Sequence, residues 1–178
     1  MTLLNCGYFL YCRVMRVIFL DIDGVLNSHR TAIGFQHVLM RKFDPVAVMM
    51  LYRIVKNADA AIVISSTWRL SKGWKTLVWG CLREAGWPWE EYGFVPQDSC
   101  PIIGKTVNYL GAGKIRGNEI DVWLNEHPEY NDYIILDDDS DMLESQMNRF
   151  IHCDSKVGLS YENWQRIREI WPEEGELA

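Results

Sequence analysis

Asp21 and Asp23 stand one residue apart at the end of an apolar run, Val17-Ile18-Phe19-Leu20-Asp21-Ile22-Asp23-Gly24-Val25-Leu26. A continuous apolar stretch with β-branched and aromatic residues, closed by a turn signal, reads as a strand buried on both faces. Side chains alternate along a strand, so the two carboxylates share a face if the extended backbone continues through Ile22. Gly24 supplies the conformational freedom to leave the strand. Two anions this close repel unless a cation lies between them. A hard divalent ion with oxygen ligands answers that repulsion, and Mg²⁺ is the usual one beside phosphate. Asp-x-Asp-Gly also occurs in calcium loops, which need oxygen ligands through to a Glu at position twelve. Counted from Asp21, position twelve is Ala32, so the calcium reading fails.

Two later stretches carry complementary groups. The apolar run Ala60-Ala61-Ile62-Val63-Ile64 ends in Ser65-Ser66-Thr67-Trp68-Arg69. A neutral hydroxyl with nearby backbone N–H groups binds a phosphoryl oxygen without competing for a metal. Ser65, the first hydroxyl after the run, is the leading candidate and Ser66 the second. Arg69 is able to hold another phosphate oxygen bidentately, although Thr67 and Arg69 taken singly also fit a helix cap and a surface charge. The run Tyr133-Ile134-Ile135-Leu136 ends in Asp137-Asp138-Asp139-Ser140-Asp141, a cluster of acids that is costly without a cation. Asp137 and then Asp138 are the leading metal ligands, with Asp141 a third option. Lys114 and Arg116 precede a helix whose dipole does not favour a cation there, a mismatch that points to function.

Phe19-Leu20-Asp21-Ile22-Asp23-Gly24-Val25 resembles the first motif of the haloacid dehalogenase (HAD) superfamily of phosphohydrolases. The strand followed by Ser65, the basic residue before a helix, and the strand followed by Asp137-Asp138 resemble its second, third and fourth motifs. Arg116-Gly117-x-Glu119-Ile120-x-x-Trp123-Leu124 is similar to a subgroup found in multidomain Swiss army knife RNA repair proteins, alongside polynucleotide kinase-phosphatase-like enzymes. The resemblance implies Asp21 as a nucleophile that becomes an aspartyl phosphate, and Asp23 as general acid and then base. It implies Ser65 and Arg116 (or Lys114) as stabilisers of the transferring group. Mg²⁺ would be held by Asp21, by Asp137 or Asp138, and by the backbone carbonyl of Asp23. Gly24, Ser66, Arg69 and Trp68 are the candidate substrate contacts. The implied activity is phosphomonoester hydrolysis on a polynucleotide end or a nucleotide. The alternatives are a nucleoside monophosphate phosphatase and a catalytically silent binding module. Any kinase or ligase needed for end repair is expected on a separate chain.

These groups need a scaffold that brings strand ends together. Strands alternating with helices imply a three-layer Rossmann-like fold, a mainly parallel sheet with helices on both faces and right-handed crossovers. Ligands of such sheets gather at the carboxyl ends of the strands, where all of these groups fall. Asn27 to Phe43, with His29, Arg30, His37, Arg41 and Lys42, is too short for a large cap domain, so an open site is expected. His29 and His37 read as surface residues of a small cap-like loop. Asp44-Pro45 reads as a helix start, with Met49 and Met50 filling the core behind it. Trp68, Trp74, Trp79, Trp87 and Trp89 read as an aromatic core face, or one of Trp68 and Trp74 stacks on a nucleobase. Tyr92 to Pro96 is expected as an edge strand and Gln97 to Gly113 as an irregular loop. Phe150-Ile151-His152 reads as a last strand. Ser160 caps the final helix without the Glu of a capping box.

The chain of 178 residues, 48% apolar and 24% charged, is long enough for one substantial core. Residues 1–14 are expected to be an extension, either an upstream start or an extra packed element. Residues 15–172 form the domain, and 173–178 an acidic tail. A net charge of −6 disfavours stable nucleic-acid binding yet leaves room for a basic pocket that admits a nucleic-acid end. Five cysteines without a Cys-x-x-Cys pair point to reduced thiols and a cytoplasmic location. No apolar run reaches membrane-spanning length, and the sequence leaves the oligomeric state open.

Overall fold

The computed structural model describes residues 15–35, 42–88, 100–108 and 115–172. The extension at 1–14, the edge strand expected at 92–96, the tail, His37, Trp89 and Lys114 lie outside the described residues. Among the described residues, five parallel strands run β1 (Arg16–Leu20), β2 (Ala60–Ile64), β3 (Ile102–Lys105), β4 (Asp132–Asp137) and β5 (Phe150–His152), in the spatial order β3-β2-β1-β4-β5. The helices are α1 (His29–Gly34), α2 (Pro45–Ala58), α3 (Trp74–Glu84), α4 (Arg116–Glu126) and α5 (Tyr161–Ile170).

The central strand β1 is buried on both faces because its residues alternate between two apolar layers. Ile18 and Leu20 join the larger core with Leu51 and Val55 of α2, Leu82 of α3 and Ile167 of α5. Val17 and Phe19 face the smaller core with Ile120 and Trp123 of α4. The Phe19 ring meets Trp123 edge-on at 5.3 Å, and burying such a side chain contributes about 1.5–3 kcal/mol. Helices on both faces of a parallel sheet make this the α/β fold that the alternation implied.

Four local expectations change. Ile102–Lys105, read as loop, is the edge strand β3 beside β2. Its apolar signal is one buried residue, Ile102, and its order comes from the bonds Ile62 N–H to Pro101 O and Thr106 N–H to Ile64 O. Met49 is 37% exposed and not core filling. Ser160 and Asn163 do form a reciprocal capping box, with the Asn amide oxygen in the role of the Glu. The extended backbone stops at Leu20, and the N–H groups of Val25, Leu26 and Asn27 converge on the Ile22 carbonyl. Asp21 and Asp23 therefore meet through a turn, not through strand alternation.

Candidate active site

β1, β2 and β4 end side by side, each register pair running to the last strand residue before the chemistry begins: Leu20 opposite Ile64 and opposite Leu136. The next backbone bonds, Asp21 N–H to Leu136 O and Ser65 N–H to Leu20 O, carry that alignment one residue further. The groups named from three distant stretches thus arrive at one edge of the sheet. A cavity of about 380 Å³ opens there, with Asp21, Asp23, Gly24, Asn27, Thr67, Arg116, Asp138 and Asp139 among its lining residues.

Asp21, Asp137 and Asp138 each place a carboxylate oxygen within 4.8 Å of the others. Burial pushes the Asp21 carboxyl up to about 8, with repulsion from Asp137 adding to it and Arg116 opposing it. Burial likewise raises Asp137 to about 6, offset by the Asp139 N–H and by Arg116. Asp138 is raised too, first by burial and then by Asp139. The Oδ2 of Asp137 is buried without a hydrogen-bond partner. Three hard oxygen donors, crowded, desolvated and incompletely satisfied, fit a divalent cation such as Mg²⁺. Gly24 makes the crowding possible. Its φ is +79°, and a Cβ there would come within 2.2 Å of Asp138 Oδ2. Asp141 is not part of the cluster. Its carboxylate accepts from the Arg116 N–H at 2.8 Å and caps α4.

Arg116, the first residue of α4, has Asp21 at 3.6 Å and Asp137 at 3.4 Å. Its Nη1 also donates to the Ser65 carbonyl and lies 3.1 Å from Glu119. The unfavourable dipole at a helix start is thus outweighed by three carboxylates. Gly117 seats that helix end: a Cβ there would lie 2.4 Å from the Leu143 nitrogen.

Arg69 has a different task from the phosphate contact expected of it. It is 2% exposed, pairs with the equally buried Glu119 at 2.6 Å, and donates to the carbonyls of Ser65 and Val107. Its two Nη groups tie the ends of β2 and β3 to α4, while its Nε is buried without a hydrogen-bond partner. Glu119, which the sequence reading used only as part of a family-like motif, holds both Arg69 and Arg116.

Trp68 is half-buried and is not among the residues that line the cavity. Its indole N–H points to the two Asp23 carboxylate oxygens at 3.0 and 3.1 Å, while its ring packs on Phe43. Asn27, missed in the sequence, donates to Asp23 Oδ1 at 2.7 Å and accepts from the Gly24 N–H at 3.2 Å. Its signal was its place within one turn after Gly24. Ser65 and Ser66 are buried, and neither Oγ has a hydrogen-bond partner. The hydroxyl residue of that stretch lining the cavity is Thr67.

Residues 17–164 match the family model described as the HAD domain in Swiss Army Knife RNA repair proteins. The chain belongs to this family. No curated protein and no solved structure matches it. Membership supports a phosphatase of the HAD superfamily, and the parallel sheet of this HAD domain agrees with it. No helix among the described residues of the HAD domain is long and apolar enough to cross a membrane.

Proposed function

We propose that this HAD domain is a Mg²⁺-dependent phosphomonoester hydrolase that works through an aspartyl phosphate on Asp21, on a nucleic-acid end or a nucleotide. The observation that carries the reading is the setting of Asp21. It is a buried carboxylate at the strand ends, with a guanidinium at 3.6 Å and two further carboxylates in metal-ligating range. With its carboxyl held up near 8, Asp21 needs a neighbouring cation to be an anionic nucleophile at neutral pH. Bound by Asp21, Asp137 and Asp138, Mg²⁺ would supply that charge and orient a phosphate.

Asp21 attacks phosphorus, the bond to the leaving oxygen breaks, and Asp23 gives that oxygen its proton. Asp23 then takes a proton from water, whose oxygen attacks phosphorus and releases inorganic phosphate and the Asp21 carboxylate. Arg116 balances charge on the transferring group. The buried, unpartnered Ser65 hydroxyl supports its assignment to a phosphoryl oxygen, with Thr67 at the cavity wall. The family description favours an RNA end as the phosphate's carrier.

The test is phosphate release from 3′- and 5′-phosphorylated oligonucleotides and from nucleoside monophosphates, with Mg²⁺ or EDTA, for the wild type and Asp21→Asn. Release lost with EDTA and with Asp21→Asn is the expected result. Release that survives Asp21→Asn sinks the mechanism.

A further inference from the structure

The short helix α1 and its caps line the active-site cavity. Ser28, Thr31, Ala32 and Phe35 line the cavity at the i, i+3, i+4 and i+7 spacing of a single helix face. The helix is seated firmly. Ser28 accepts from the Thr31 N–H, the His29 N–H donates to Ser155 O at 2.9 Å, and the Arg30 N–H donates to Lys156 O at 3.1 Å. Arg30 also pairs with Asp44, the cap of α2, at 2.6 Å. On the other side of this seat, a Cβ on Gly158 would lie 2.7 Å from Val25 O. The start of α1 is thus fixed, and at its other end Phe35, whose N–H donates to Thr31 O, remains 43% exposed.

The cavity therefore has a mixed lining. It brings together the charged Asp21, Asp138 and Arg116, the polar Asn27, Ser28 and Thr31, and the aromatic ring of Phe35. At a rise of about 1.5 Å per residue, Ser28 and Phe35 are about 10 Å apart along the helix, which sets the ring about that far from the polar start of α1. A ligand that matches this lining has a phosphate, a hydroxyl-bearing centre and a flat apolar group. Trp68, the other aromatic near the site, is engaged with Asp23 and leaves this task open.

We propose that Phe35 is the platform on which the base of the phosphate-bearing nucleotide stacks, making it a specificity-determining residue of this site. The inference rests on the phosphatase reading for the position of the phosphate. Free mononucleotides and phosphorylated strand ends share this chemistry. Stacking of a base on an aromatic side chain contributes about 1–3 kcal/mol, which corresponds to a selectivity of about five-fold to more than a hundred-fold.

The experiment compares kcat/KM for a nucleoside 5′-monophosphate, ribose 5-phosphate and a phosphorylated oligonucleotide in the wild type, Phe35→Ala and Phe35→Tyr. Binding of the nucleoside monophosphate and of ribose 5-phosphate to the wild type in Mg²⁺ is measured by calorimetry in parallel. The expected result is a nucleotide-to-ribose-phosphate ratio that falls about ten-fold in Phe35→Ala and is retained in Phe35→Tyr. The oligonucleotide arm tells strand ends from free nucleotides as the source of the base. A ratio unchanged in Phe35→Ala overturns the platform and leaves the phosphatase reading standing. Phosphate release from none of the substrates overturns the phosphatase reading, and the binding ratio then decides the platform: tighter binding of the nucleotide supports it, equal binding overturns it.

Discussion

The indole N–H of Trp68 lies between the two carboxylate oxygens of Asp23, 3.0 and 3.1 Å from them, across 45 residues of sequence. With the Asn27 amide on the same carboxylate, this bond orients the group proposed to donate and then accept the proton. Hydrogen bonds to a charged group contribute about 1.5–3 kcal/mol. Trp68→Phe keeps the ring on Phe43 and removes only the donor. We expect kcat/KM for an alkyl phosphate to fall about ten- to a hundred-fold, and for p-nitrophenyl phosphate, whose leaving group needs little protonation, by much less. Equal losses on both substrates contradict an orienting role.

The metal-free protein should lose stability as pH rises. Asp21 titrates near 3.8 when unfolded and near 8 when folded, so the folded state binds its proton more tightly throughout that window. The unfolded state then holds fewer protons, and unfolding free energy declines with pH. The contribution is complete below about pH 4 and is lost as pH rises to about 8. Asp137, raised to about 6, acts in the same direction over the lower part of the range. Mg²⁺ should reverse the trend by favouring the ionised carboxylates, with a larger rise in Tm at pH 8 than at pH 5 and with release of protons into a weakly buffered solution. Thermal melts with and without EDTA, and proton-release calorimetry, check both parts.

Gly24→Ala should damage the carboxylate cluster directly. The left-handed backbone at φ +79° costs an L-residue about 1–2 kcal/mol. The new methyl also meets Asp138 Oδ2, which must turn away from Asp21 and Asp137. Expected outcomes are a Tm several degrees lower and Mg²⁺ affinity reduced about ten-fold or more, read by metal titration.

Arg69→Met should be a stability mutation before it is an activity mutation. Breaking a buried ion pair by removing one partner costs about 3–5 kcal/mol, and the carbonyls of Ser65 and Val107 lose a donor as well. Denaturant unfolding is the measurement. If Arg69 instead acted on phosphate, KM would rise while unfolding free energy stayed near that of the wild type.

Some of this was settled by residue order alone. The runs before Asp21, Ser65 and Asp137 are apolar at every buried position, and their shortness, β-branched content and bounding turn signals suit a strand covered on both faces. Once those strands pair in parallel, their polar ends must fall at one edge of the sheet. That is why Asp21, Asp137 and Asp138 could be grouped without coordinates, whereas Arg116 (or Lys114), at a helix start, was placed near them by the family resemblance. Tertiary structure decided which polar atoms meet. Arg69 reads as an available cation until Glu119, 50 residues later, is folded against it. Trp68 reads as a stacking ring until the turn after β1 brings Asp23 to its N–H. Asp141 reads as a metal ligand until the start of α4 approaches it closely enough to be capped. β3 carries too little apolar signal to be seen, since an edge strand of four residues draws its order from its neighbour. Phe35 becomes notable only because α1 is pinned along the cavity. Local sequence encodes the period and the burial of each element. The partner of a buried charge or donor is fixed by packing between elements far apart in the chain, and no local pattern records it.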